Sequence, residues 1–190
     1  MLVLILCDYV AQNQHQHYFF KEHMPKSDQG AVPGRYTIIP RTLVFVFRGE
    51  EVLLIKGAPT KRLWANRYNG IGGHIERGED ALSAARRELE EETGLEHVDL
   101  RLVGTVLVDA SDQLGIGLYV FKGEYRSGAL TPSTEGQLEW VPLDRLDALP
   151  LVEDLQVFLP RICQMQAEDG PFCARTYYDE NDQMKIIFGE

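Results

Sequence analysis

Four glutamates, Glu88, Glu90, Glu91 and Glu92, fall within five positions of the stretch RRELEEETGL. The surrounding apolar spacing predicts a helix over 81–93, closed by Gly94, so these acids crowd its last turns. That is the negative end of the helix dipole, where carboxylates are least stable. Like charges three and four residues apart add a few tenths of a kcal/mol of repulsion per pair. At about 100° per residue, Leu82, Ala85 and Leu89 form the buried stripe. Glu88, Glu91 and Glu92 gather to one side of it, and Glu90 points to solvent. A solvated acidic face normally interleaves Lys or Arg at i+4. Here no cation follows the acids within a turn, and Arg86 and Arg87 precede them, the weaker orientation. The sharper alternative is a bound divalent cation. Hard carboxylate donors suit Mg²⁺, Mn²⁺ or Ca²⁺ rather than zinc.

The elements that must hold this helix are mostly strands. The run YTIIPRTLVFVF, 36–47, is β-branched and aromatic, with Pro40 expected at a bulge or sheet edge. A turn at Gly49-Glu50 leads to a second strand, EVLLIKG, and a glycine-rich loop then runs into the helix. Strands recur at VDLRLVGTVLVDA, GLYVFKGEY and QLEWVPL, followed by a helical stretch, LVEDLQVFLPRICQM. The end of the chain, ARTYYDENDQMKIIF, reads as a hairpin around 179–182. The pattern is α+β, with mixed or antiparallel strand pairing. Residues 1–34 read as a peripheral, poorly ordered extension, 35–168 as the domain, and 169–190 as a hairpin extension. His15, His17 and His23 fit a disordered tail better than a metal cluster, and Met24 is a candidate natural start.

Composition narrows the partners. A net charge of −10 and a pI near 5.0 argue against coating a nucleic acid polymer or an anionic membrane. They leave room for a single nucleotide, because a metal ion inverts the local sign of a site. Three cysteines, Cys7, Cys163 and Cys173, are far apart and form no CxxC pair, as expected of reduced thiols in a cytoplasmic protein. The apolar opening MLVLIL is too short to span a membrane.

The loop before the helix adds the decisive pattern. From Gly73 to Leu95 the chain reads GHIERGEDALSAARRELEEETGL. This is Gly, five residues, Glu, seven residues, Arg-Glu, an aliphatic, any residue, Glu-Glu, any residue, Gly, an aliphatic. At average residue frequencies such a window arises by chance on the order of once in 10⁹. The chain therefore resembles a Nudix hydrolase. The resemblance implies an α/β/α sandwich around a mixed β-sheet. It implies that Glu88, Glu91 and Glu92, with the Gly72 carbonyl, hold Mg²⁺, for which Mn²⁺ can substitute. Arg87 would pair with Glu79 and the helix acids, and Glu135 would complete the set from a later loop, unless it is an ordinary loop glutamate. The implied reaction is hydrolysis of a nucleoside diphosphate linked to another group. Glu88, Glu92 and Glu135 all remain candidates for the base.

The leaving group is set elsewhere. Asn69, just before the glycine turn, resembles the branch that acts on oxidised purine nucleoside triphosphates, where this amide contacts the base; a plain turn-forming role competes. Glu153 and Asp154 stand where that branch grips the purine with paired acids, or simply begin a helix favourably. Arg67, with Lys61 and Arg62, could meet phosphates. The proline typical of the ADP-ribose branch is absent at Ala110-Ser111, and 111–113 lack the tyrosine of dinucleoside polyphosphate hydrolases. Trp64, Tyr68, Phe121 and Trp140 are candidates for base stacking, with core packing the default. The expected activity is cleavage of a nucleoside triphosphate to monophosphate and pyrophosphate. The alternatives are an ADP-ribose or nucleotide-sugar pyrophosphatase, or a non-catalytic nucleotide sensor. The terminal hairpin offers an edge for a homodimer.

Overall fold

The computed structural model describes residue 30 and residues 34–189. Cys7, the histidines His15, His17 and His23, and the start at Met24 lie outside the described residues. From Tyr36 onward the chain forms one compact unit.

The elements are β1 (Thr37–Arg48), β2 (Glu51–Gly57), β3 (Tyr68–Asn69), α1 (Ala81–Thr93), β4 (Leu100–Asp109), β5 (Leu114–Glu124), β6 (Gly136–Pro142), α2 (Leu155–Gln164), β7 (Phe172–Tyr178) and β8 (Met184–Phe188). A 3₁₀ segment, Leu143–Ala148, that the apolar pattern did not announce lies between β6 and α2. The sheet order is β3-β2-β1-β5-β4-β7-β8, with β6 on β2. Pairing is mixed: β1 with β5 and β4 with β7 are parallel, and the other pairs are antiparallel. Strand alternation sends Val44, Val46 and Phe121 to one face, where Ala85 and Leu89 of α1 cover them. Phe45, Phe47, Val106 and Val120 face the other way, against Leu155, Phe158, Leu159 and Ile162 of α2. The result is a helix–sheet–helix sandwich. Lys122 on β5 fastens α2 by donating to the carbonyls of Ile162, Cys163 and Met165 at its C-terminal end, at 3.0–3.3 Å.

Two features depart from the sequence expectation. Pro40 lies at neither an edge nor a bulge but within β1, in register with Gly117 of β5. The amides of Thr42 and Val44 donate to Gly73 and Ile71, so the missing amide of Pro40 falls on that same side, where the ladder is ending. The terminal hairpin is also no appendage: β7 extends the same sheet beside β4, and Phe172, Ala174 and Phe188 join the α2 core.

β1 and β2 pair only at Phe47–Val52 and Arg48–Glu51, then diverge. Residues 70–75 fill the gap, bridging β1 through Val44–Ile71 and Arg41–His74. The glycine loop thus enters the sheet where its two halves splay, beside α1.

Candidate active site

Asp80 caps α1, accepting from the amides of Leu82 and Ser83 at 2.9 and 3.0 Å, and Gly94 at φ 74° closes it. Between these stops the helix aims two carboxylates at the glycine loop. Glu88 abuts Gly73: a Cβ there would stand 2.6 Å from Glu88 Oε2. Glu92, one turn on, lies by the Gly72 amide, whose dipole favours the charged carboxylate. Burial, then the charges of Glu88 and Glu135, push the Glu92 carboxyl up to about 7.

Arg87 organises the rest. Its Nε and Nη2 donate to the two carboxylate oxygens of Glu79 at 2.7 and 3.1 Å, and its Nη1 donates to Glu88 and Glu91 at 2.9 and 3.0 Å. Nη2 also reaches the His74 carbonyl at 3.0 Å, tying loop to helix. Arg87 first, and then the Glu76 amide, which donates to Glu79 at 2.9 Å, hold the Glu79 carboxyl below its ordinary range. Glu91 leans outward, its side chain 60% exposed against 14% for Glu88. Glu135, from the loop before β6, is ion-paired with Lys61.

The donor chemistry suits a hard divalent cation: clustered, partly buried carboxylates whose repulsion is uncompensated at Glu92. Among the described residues, no three acidic or metal-ligating side chains converge on a single point.

A second cavity, of about 350 Å³, opens beside the loop. Asn69, Arg67, Gly70, Gly72 and Gly73 line it on one side, Glu153 and Asp154 on another. The Asn69 Oδ1 accepts from the Gly70 amide at 2.8 Å, which fulfils the turn role and leaves the amide nitrogen to donate. Asp154 sits immediately before α2 and makes no side-chain capping bond; its place at the helix start still suits the dipole. Burial, then Glu153, raises its carboxyl above the usual range. Arg67 donates through Nη1 to the Leu151 carbonyl at 3.1 Å, joining the two walls.

Sequence reasoning missed Arg41, Thr42, Tyr178 and Met184, which also line this cavity. Tyr178 carried a usable signal. A period-two count from the buried Phe172, Ala174 and Thr176 puts it on their face, and Met184 is its partner on β8.

Comparison with known proteins gives the family and the fold. The family model described as "NUDIX domain" matches residues 38–162. The chain is 31% identical over 143 residues, 74% of its length and 87% of the other's, to a Mus musculus oxidized purine nucleoside triphosphate hydrolase. It is 35% identical over 114 residues to the NAD-capped RNA hydrolase NudC of Pseudomonas aeruginosa, spanning 58% of this chain and only 38% of that one. Among solved structures, a MutT protein from Bacillus halodurans superposes with a TM-score of 0.67 at 22% identity, covering 80% of this chain and 97% of its own. The NUDIX domain of Shewanella oneidensis NrtR, complexed with ADP ribose, gives 0.59 at 15% identity, over 83% and 96%.

Proposed function

The chain belongs to the NUDIX family as a pyrophosphohydrolase, and from that premise we propose that it hydrolyses an oxidised purine nucleoside triphosphate to the monophosphate and pyrophosphate with Mg²⁺. One observation carries the proposal. The glycines that contact Glu88 and Glu92 also form a wall of the cavity that holds Asn69 and Asp154. A base held there places its phosphates toward the acids.

The parts divide the work. Asn69 donates through its amide nitrogen, and Asp154, biased by burial toward the neutral acid, can donate as well. Two donors flanking one base suit a purine edge rich in acceptors, such as an added oxo group. Arg87, braced by Glu79, fixes Glu88 and Glu91 in place. Glu88, Glu91, Glu92 and Glu135 supply the oxygens for the cation, which when bound neutralises phosphoanhydride charge and makes water a better nucleophile. All the acids of the motif are present, which disfavours a sensor that binds without cleaving.

A panel of normal and oxidised nucleoside triphosphates, ADP-ribose, NAD and nucleotide sugars, each with Mg²⁺ or with chelator, tests this reading. The expected result is Mg²⁺-dependent release of pyrophosphate, fastest from an oxidised purine triphosphate. Preference for ADP-ribose or NAD would replace the substrate assignment, and binding without product would favour a sensor.

A further inference from the structure

We propose that Trp64 stacks on the base of the bound nucleotide, making the loop between β2 and β3 an affinity element of the site; this rests on the reading above that the substrate is a nucleoside phosphate. Of the four aromatic candidates, the structure commits three elsewhere. Tyr68 is buried, and its hydroxyl donates to Glu139 at 2.7 Å. Phe121 lies in the core under α1. Trp140 meets Tyr125 edge-on at 5.2 Å, with the Arg48 guanidinium 4.4 Å above its ring. Trp64 alone of the four is left largely open, 44% exposed.

Its position is built, and the backbone shows how. Trp64 has φ 58° and Asn66 φ 60°, left-handed values that a bulky side chain disfavours. Hydrogen bonds at 3.0 Å hold them there: Asn66 amide to Gly57 carbonyl, Arg67 amide to Trp64 carbonyl, and Gly57 amide to Arg67 carbonyl. Gly57 permits this approach, since a Cβ on it would lie 2.5 Å from the Trp64 carbonyl oxygen. Such strain persists only where the surroundings enforce it, and it gathers at ligand clamps. Trp64 borders both the Asn69–Asp154 cavity and a smaller one lined by Lys61, Glu92 and Glu135. A residue with a flat apolar ring, its backbone fixed at the junction of these two spaces, stands where a nucleobase would be held. Every base has a π-face, so stacking adds affinity without choosing the base. Choice is left to Asn69 and Asp154.

The chain has two tryptophans, so Trp140→Phe leaves Trp64 as the only indole emitter. In chelator, where no turnover occurs, an oxidised guanosine triphosphate should quench that emission saturably, and inorganic triphosphate should not. Trp64→Ala should raise KM roughly ten- to a hundredfold with kcat little changed, the signature of lost uniform binding. Trp64→Phe should recover most of the loss, and the melting temperature of both variants should match the parent. Unaltered KM in Trp64→Ala, or a silent Trp64 in protein that still turns over nucleotide, overturns the stacking and leaves the reaction standing. Failure of the wild-type protein to hydrolyse or bind any nucleotide overturns the reading beneath it.

Discussion

The acid cluster on α1 and the Asn69–Asp154 cavity beside it differ in how the chain assembles them. The cluster is local: Glu79, Arg87, Glu88 and Glu91 come from one loop and one helix, joined by a single guanidinium. The cavity draws on β1, the β2–β3 loop, the residues before α2 and the terminal hairpin. Its walls meet only because β1 lies parallel to β5 and β4 parallel to β7. The groups to which we assign the chemistry, Glu135 apart, are thus fixed by short-range geometry, and those to which we assign substrate selection by topology.

The largest expected effect breaks the local half. Glu92→Gln removes one charge and almost no volume, so the fold should survive while turnover falls by about two to four orders of magnitude. Wild-type rates at saturating Mg²⁺ would remove Glu92 from the reaction. Gly73→Ala sharpens the same point without touching a charge. Its methyl would run into the Glu88 carboxylate, the far end of a flexible side chain, so Glu88 should move while the backbone stays put. We expect turnover to drop about tenfold or more, with the melting temperature nearly unchanged. Full activity would mean that the contact between Gly73 and Glu88 does not matter.

The same division explains what was legible in the sequence. α1 spans 81–93 as its apolar spacing, acids and Gly94 announce, and β2 and the hairpin turn follow from equally local signals. Parallel pairing leaves no such mark. Nothing near Pro40 says that β5 will lie beside it, and the usual edge rule fails because its missing amide falls where the ladder is already ending. Leu151 to Asp154 read as the opening of a helix because apolar and acidic residues follow in helical order. In the structure Leu151 instead bridges Tyr68, Val152 donates to the Tyr68 carbonyl, and α2 begins at Leu155. That long-range bridge is what brings Asp154 to the cavity.

Asp154→Asn probes the cavity in isolation. The carboxyl is raised by burial first and Glu153 second, so it is a donor below its folded pKa and loses that proton as pH climbs past it. In the wild type, preference for an oxidised purine should therefore weaken with rising pH. The asparagine variant keeps a constant donor, so its preference should shift by about tenfold and become flat with pH, while kcat for the better substrates stays close to wild type. Identical pH profiles for base preference in the two proteins would take Asp154 out of base recognition.

The smallest effect concerns the long-range tie that holds the cavity wall. Asp109, at the end of β4, accepts from Arg175 Nε and Nη2 at 2.8 and 2.6 Å and from the Tyr36 hydroxyl at 2.9 Å, clamping β7 to β4. Arg175 is the leading cause that holds the Asp109 carboxyl below its ordinary value. A depressed carboxylate stabilises the fold fully above its unfolded pKa of about 3.9, and the gain fades as pH falls through the lower folded value. Asp109→Asn should thus lower stability by about 0.5–1 kcal/mol near neutrality, the pair being partly exposed. The difference from wild type should shrink steadily below about pH 4. Loosening β7 should also raise KM slightly, because Tyr178 and Met184 ride on the hairpin it carries, and leave kcat alone because α1 is untouched. A fall in kcat with KM unchanged would mean that the two halves of the site are mechanically coupled, and that the division between local chemistry and topological selection is wrong.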